Sequence, residues 1–208
     1  MANVKAMRYN TGMRTILPKD AKLVPSGAER VFRGKIFEVY QWQQEMFDGS
    51  YETFEALKRS DTVNIFAVKD GKLVILKQQQ PGSPVFYGVP GGRHDDPGET
   101  ELEAAKREML EETGMTFRNW KLIWVTQPAS KMEWFVYSFL ATDFETQVPQ
   151  KLDAGEKISV QLMTIDEARD IIRGLAPNSR ADFPREIFDN INTIEELENW
   201  PEYQGRAV

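Results

Sequence analysis

The chain contains no cysteine. Disulfides, thiolate nucleophiles and zinc–cysteine sites are therefore excluded. Histidine is nearly absent too: a histidine triad or histidine metal site would have to run through His94 alone. No apolar run is long enough to span a membrane. The N-terminal stretch MANVKAMRYNTGMRTILPKD has no continuous apolar segment, so no signal peptide is expected. Positive charge is in deficit, with a net charge of −6. That argues against a general polyanion-binding surface, and so against a nucleic-acid partner, but leaves a local basic pocket open. The 208 residues, 41% apolar and 28% charged, suffice for one substantial domain with a small appendage. A cytoplasmic enzyme or binding protein with no membrane partner is the expectation.

The first thirty or so residues carry scattered proline, glycine and charge and read as an irregular arm. Val31 to Gln44 is rich in aromatic and β-branched residues and reads as one strand. Asp48-Gly49 marks a hairpin returning through YETFEALKR, and Asp70-Gly71 a second one between TVNIFAV and KLVILK. YGVPGGRHDDPGE reads as loop. TELEAAKREMLEETG is the clearest helix, opened by a Thr100/Glu103 capping box and stopped by Gly114. Leu102, Ala105, Met109 and Leu110 form its expected core face. KLIWVT, EWFVYSFLA and ISVQLM are further strands. A second helix runs from a Thr164/Glu167 box to Gly174, APNSRADFP reads as loop, and a short helix opens at Thr193/Glu196. The expected class is α+β, a mixed sheet packed with helices and preceded by a small antiparallel sheet. Residues 1–60 are assigned to the arm and that sheet, 61–175 to the main domain and 176–208 to a C-terminal loop and short helix.

The helix carries an electrostatic puzzle. Glu108, Glu111 and Glu112 span about 100° of its surface, with Glu101 in the same arc. Glu108 and Glu112 repel at i, i+4, costing roughly 0.2–0.5 kcal/mol. Glu111 and Glu112 also face the negative end of the helix dipole. Arg107 is expected to pair with Glu103 and Glu111 and to point away from the centre of the cluster. One arginine cannot neutralise three carboxylates. A hard divalent cation can, and such ions also bind substrate phosphates. The competing reading is a solvated acidic face.

Glu99, seven further residues, and then Arg107-Glu108-Met109-Leu110-Glu111-Glu112-Thr113-Gly114-Met115 resemble the box of the Nudix hydrolases, G-x5-E-x7-R-E-U-x-E-E-x-G-U, where U is aliphatic. One departure is visible: Gly92 to Glu99 has one residue more than the box. The resemblance implies an α/β/α sandwich whose loop–helix–loop holds Mg²⁺, or Mn²⁺. It implies Glu108 and Glu112 as metal ligands, and Glu111 as a ligand or its support. Glu99 would buttress the loop or hold a further metal, a backbone carbonyl of Gly91 or Gly92 would join the ligands, and Arg107 would orient the cluster. Residues 30 to 175 further resemble the ADP-ribose and nucleoside-diphosphate-sugar pyrophosphatase branch. That implies a nucleoside-diphosphate-linked substrate and a homodimer built through the N-terminal sheet. By position Phe54 is a base-stacking candidate, Arg59 a substrate-holding cation, and Pro128 a characteristic loop proline. Ordinary sheet packing competes for Phe54, a surface charge for Arg59 and a plain loop role for Pro128. Gln78-Gln79-Gln80 stands where the branch has Gln-x-Arg, leaving Gln80 as the candidate contact. Gly88-Val89-Pro90-Gly91-Gly92 stands where it has Glu-x-Pro-Ala-Gly.

In this branch the general base is often a glutamate on a loop after the box. Glu156 in LDAGEKISV is the candidate, with Asp153 and Glu133 behind it, and a solvated loop carboxylate competes. His94 is read as a plain loop residue. The products would be a nucleoside monophosphate and a sugar phosphate. The alternatives are a Nudix hydrolase of another diphosphate, such as a dinucleotide or nucleoside triphosphate, a non-catalytic nucleotide sensor, and a structural protein with an acidic helix.

Overall fold

The structure is a computed structural model that describes residues 13–173 and 185–208. Gly174 and the APNSRADFP segment lie outside them. In chain order the elements are β1 (Ile16–Leu17), β2 (Glu29–Arg33), β3 (Glu38–Glu45), β4 (Tyr51–Lys58), β5 (Asp61–Lys69), β6 (Lys72–Gln79), β7 (Phe86–Gly88) and β8 (Gly91–His94). There follow α1 (Glu101–Thr113), β9 (Met115–Thr126), β10 (Met132–Glu133), β11 (Val136–Gln147), β12 (Lys157–Met163), α2 (Ile165–Ile172), α3 (Arg185–Phe188), α4 (Ile194–Glu198) and β13 (Arg206–Ala207). None of the described helices is long and apolar enough to cross a membrane.

The class is α+β. The larger sheet has the order β12-β6-β5-β11-β9, with β7 added to β6 and β8 to β5. Only β5 and β11 run parallel in it. β5 is apolar on both faces, as a central strand must be. Val63, Ile65 and Ala67 join Ala104, Ala105 and Met109 of α1 in one core. Phe66 and Val68 join Ala168, Phe188 and Leu197 in a second core on the opposite face. Helices thus cover both faces, and the C-terminal segment completes a core.

The smaller sheet has the order β10-β4-β3-β2. The expected strand at 31–44 is two strands, because the chain reverses between Arg33 and Glu38, with Gly34 N–H donating to the Phe37 carbonyl. EWFVYSFLA is also divided, into β10 of the smaller sheet and β11 of the larger one. The loop expected at 87–99 contains β7 and β8, because β5 and β6 diverge beyond Val68 and Leu73 and leave edges free for the intervening chain. His94 is therefore a buried strand residue, not a loop residue.

The described part of the arm, from Met13 onward, is anchored. Arg14 binds Asp61 at 2.6 Å and Glu133 at 2.7 Å, and Lys58 binds Glu133 at 2.8 Å. Burial pushes the Glu133 carboxyl up, but Lys58, Arg14 and the Val24 N–H outweigh it and hold the group below its ordinary value. A depressed carboxylate stabilises the fold above the ordinary carboxylate range, and that stability is lost as pH falls through the range toward the native value. The melting temperature is expected to fall between about pH 5 and pH 3. Glu133→Gln should lower it at pH 7, at a cost of about 3 kcal/mol, and flatten that fall. Equal pH slopes for the two proteins in calorimetry would refute this.

Candidate active site

The site is built on α1. Thr100 Oγ1 accepts from the Glu103 N–H, and Glu103 accepts from the Thr100 N–H at 2.7 Å, so both capping-box bonds form. Gly114 adopts a φ of 72° and ends the helix. A side chain there would lie 1.8 Å from the Val148 carbonyl oxygen, so glycine is required twice over. Ala104, Ala105 and Met109 face the core, and burying Met109 contributes about 1.5–3 kcal/mol. Leu110 does not join them, being 40% exposed, because it lies past the edge of that stripe.

Arg107 lies inside the cluster, not outside it. Its Nε donates to Glu99 at 2.9 Å, its Nη1 to Glu108 at 2.8 Å and Glu111 at 3.2 Å, and its Nη2 to the Arg93 carbonyl at 2.9 Å. The expected pairing with Glu103 is absent because the capping box has claimed that carboxylate. Glu101 also leaves the cluster: it is buried and accepts from the Thr15 N–H and hydroxyl.

Glu112 is 5% exposed, and its Oε2 accepts from the Gly91 N–H at 2.7 Å. Burial pushes its carboxyl well up, against that bond, and the charges of Glu108, Glu156 and Glu111 push it further. Glu108 is raised chiefly by burial, which Arg107 opposes and Glu111 and Glu156 reinforce. Arg107 loses solvation on burial, but Glu99 and Glu108 hold it above its ordinary value. Among the described residues no three carboxylate or imidazole side chains stand ready to hold one ion. Arg107 threads between Glu99, Glu108 and Glu111, and Glu112 is turned onto Gly91. The donor set still suits a hard divalent cation: carboxylate oxygens, two of them on half-buried or buried groups that repel one another.

β8 presses against these side chains. A Cβ at Gly92 would lie 2.4 Å from the Glu108 carboxyl, and one at Gly91 would lie 2.1 Å from the Val63 carbonyl oxygen. His94 Nε2 lies 2.6 Å from the Glu99 carbonyl oxygen. A carbonyl only accepts, so Nε2 carries the proton. His94 thereby helps to position Glu99.

The other predicted residues fall into three places. Glu156 lies in the turn before β12, and its charge is felt by both Glu108 and Glu112. Gln80 is beside it, because Lys157 pairs with Gln79 across β12 and β6. Asp153 shares the Glu156 turn, whereas Glu133 belongs to the Arg14 network and is committed there. Phe54 of β4 lies opposite Trp42, with ring centroids 6.1 Å apart, and lines a cavity of about 280 Å³ with Leu23, Val24 and Met132. Lys131 Nζ is 5.7 Å from the Phe54 ring. Arg59 stacks 4.6 Å from the Trp134 ring and lines a different cavity, about 380 Å³, with Lys35, Ser60, Arg93, Asp95 and Asp96. Phe54 and Arg59 therefore line different cavities. Pro128 is exposed in the turn between β9 and β10. Trp42 and Lys131 are the partners that sequence reasoning missed: the hairpin register, which pairs Trp42 with Phe54, was the available signal for the first.

Residues 58–188 match the NUDIX domain. The chain belongs to the Nudix family. It is a Nudix hydrolase, and members of the family generally use a divalent metal. It is 28% identical over 166 residues to the ADP-ribose pyrophosphatase of Bacillus subtilis (strain 168), across 77% of this chain and 83% of that protein. A solved ADP compounds hydrolase superposes with a TM-score of 0.58 at 19% identity, over 80% of this chain and 91% of that one. A Nudix hydrolase from Nitrosomonas europaea superposes with a TM-score of 0.52 at 25% identity, over 69% and 91%. This Nudix chain thus shares sequence with one ADP-ribose pyrophosphatase and its fold with both solved structures.

Proposed function

We propose that this Nudix hydrolase cleaves the diphosphate of a nucleoside diphosphate linked to a sugar, ADP-ribose or a sugar nucleotide, giving a nucleoside monophosphate and a sugar phosphate. The observation that carries it is the run of mutually repelling carboxylates Glu108, Glu111 and Glu112, with Glu112 and Glu108 packed against the Gly91-Gly92 backbone and Glu111 held by Arg107. Those three residues, with Glu99 and the Gly91 carbonyl, would hold Mg²⁺, with Mn²⁺ as a substitute. Such an ion supplies neutralisation of the diphosphate charge and acidification of the attacking water. Arg107 keeps Glu99, Glu108 and Glu111 oriented until then. The Glu156 carboxylate takes the proton of the water that attacks phosphorus. The Phe54 cavity, aromatic and apolar, suits a nucleobase, and the polar Arg59 cavity suits phosphate and hydroxyl groups. Gln80 and Pro128 flank the substrate from neighbouring loops. Residues 61–175 carry the chemistry.

The N-terminal sheet supports a homodimer. Among the described residues its β2 edge is unpaired on one side, and Val31 and Phe32 of β2 and Ile36 of the following turn are exposed. Sedimentation velocity of the full chain reads this directly, and a monomer at all concentrations would reject it.

The test is hydrolysis of ADP-ribose, UDP-glucose, GDP-mannose, a dinucleotide and a nucleoside triphosphate, with Mg²⁺, Mn²⁺ or EDTA. Metal-dependent cleavage of a sugar-linked diphosphate is expected. Preference for the dinucleotide or triphosphate moves the substrate elsewhere in the family, and silence from folded protein refutes hydrolysis of these classes. Phe54→Ala should raise KM for the best substrate roughly tenfold, since base stacking is worth about 1–3 kcal/mol, with kcat little changed. An unchanged KM would remove Phe54 from the site.

A further inference from the structure

The loop carrying Glu156 is strapped to the end of the metal-binding helix. Beyond β11 the chain turns back over the last turn of α1. The Val148 N–H donates to the Gly114 carbonyl at 2.8 Å, and the Lys151 N–H to the Glu111 carbonyl at 2.9 Å. The side-chain amide of Gln150 donates to the Glu112 carbonyl. A helix end leaves its last carbonyls without partners in the helix. Here two of those carbonyls belong to Glu111 and Glu112 themselves.

The far end of the loop is fixed as well. Lys157 opens β12 and pairs with Gln79. Between the two anchors only residues 152–156 span the gap. They are drawn tight by a turn in which the Glu156 N–H donates to the Asp153 carbonyl at 3.0 Å, and a Cβ at Gly155 would already meet Pro81 at 3.8 Å. Glu156 therefore cannot be placed independently of the helix that bears Glu108 and Glu112.

We propose that Gln150 is a positioning residue, which holds the Glu156 loop in register with the carboxylates of α1 by clamping the Glu112 carbonyl. This rests on the reading of Glu156 as the base. Gln150 is the one side-chain contact among the three bonds, so it is the one that substitution can remove. Its side chain is not among the groups assigned to substrate or metal. Its loss should displace Glu156 while leaving the carboxylate oxygens on α1 in place. Rate should fall, and neither substrate nor metal affinity should follow.

The test uses the full chain and the best substrate of the panel. Gln150→Met keeps length and volume but removes the donor. Gln150→Lys keeps an N–H donor. Gln150→Met should lower kcat about 10- to 100-fold, with KM and the Mg²⁺ concentration for half-activity unchanged, and Gln150→Lys should recover most of the rate. In a Glu156→Gln background the same Gln150→Met change should cost less than about twofold, because the positioned group is already gone. An equal loss in both backgrounds, an unchanged kcat, or a shift in Mg²⁺ half-activity overturns the positioning role. Full activity of Glu156→Gln overturns the base assignment itself and this inference with it. An impaired Glu156→Gln beside a neutral Gln150→Met overturns the inference alone.

Discussion

Glu112→Gln is expected to remove most turnover, roughly a thousandfold, while raising the melting temperature of the metal-free protein. Glu112 is buried beside Glu108 and near Glu156, and its carboxylate accepts from the Gly91 N–H. Burial raises its carboxyl well above the ordinary value, the other carboxylates add to this, and the Gly91 N–H opposes it without prevailing. A raised carboxylate favours the fold only while it is protonated, so that stability is present at low pH and is lost as pH rises through the native value. Above that native value the ionised group is a burden on the metal-free fold. Glutamine keeps an oxygen for the Gly91 N–H and has no charge. If about 1 kcal/mol is relieved, the midpoint rises by about 2–4 °C for a chain of this size. Differential scanning fluorimetry in EDTA and turnover in Mg²⁺ check both halves. A variant that unfolds, or one that keeps its activity, contradicts this account.

Two adjacent glycines should behave oppositely. Gly91 has a φ of 156° and a site where a Cβ would strike the Val63 backbone. Backbone cannot step aside without breaking the β5–β8 pairing, in which Asn64 faces Gly91 and Val63 faces Gly92. Gly91→Ala should cost about 3 kcal/mol or more and compromise folding. At Gly92 the obstacle is the end of the Glu108 side chain, which can swing away. Gly92→Ala should therefore leave stability within about 1 kcal/mol yet lower turnover roughly a hundredfold, because a ligand oxygen is misplaced. Urea denaturation and steady-state rates separate the two. Equal stability losses at both positions would mean that Glu108 is not free to move.

What was legible in the sequence was mostly local. The Asp-Gly turns and the Thr100/Glu103 and Thr164/Glu167 capping boxes need only a few consecutive residues, and they form as read. Strand β5 was legible because apolarity on both faces leaves little choice. The failures share another cause, competition between partners distant in sequence. Glu101 lies on the same helical arc as Glu108, Glu111 and Glu112, yet Thr15 of the arm takes it. Arg107 has Glu103 within reach, but the cap takes that carboxylate first and Glu99 takes the arginine. His94 sits in a run of glycine, proline and aspartate that reads as loop, and becomes a buried strand residue only because Asp61 of β5 pairs with it. Gln150 gave no signal, since its partner is a backbone carbonyl 38 positions earlier.

The central claim is that the carboxylates of α1 form a divalent-metal site on which hydrolysis depends. Calorimetric titration of Mn²⁺ into wild type and Glu112→Gln, with hydrolysis of ADP-ribose followed in the same samples, tests it most directly. The account predicts binding by the wild type that tracks its activity, and loss of both in the variant. Equal Mn²⁺ binding by the two proteins, or hydrolysis that persists in EDTA, would contradict it.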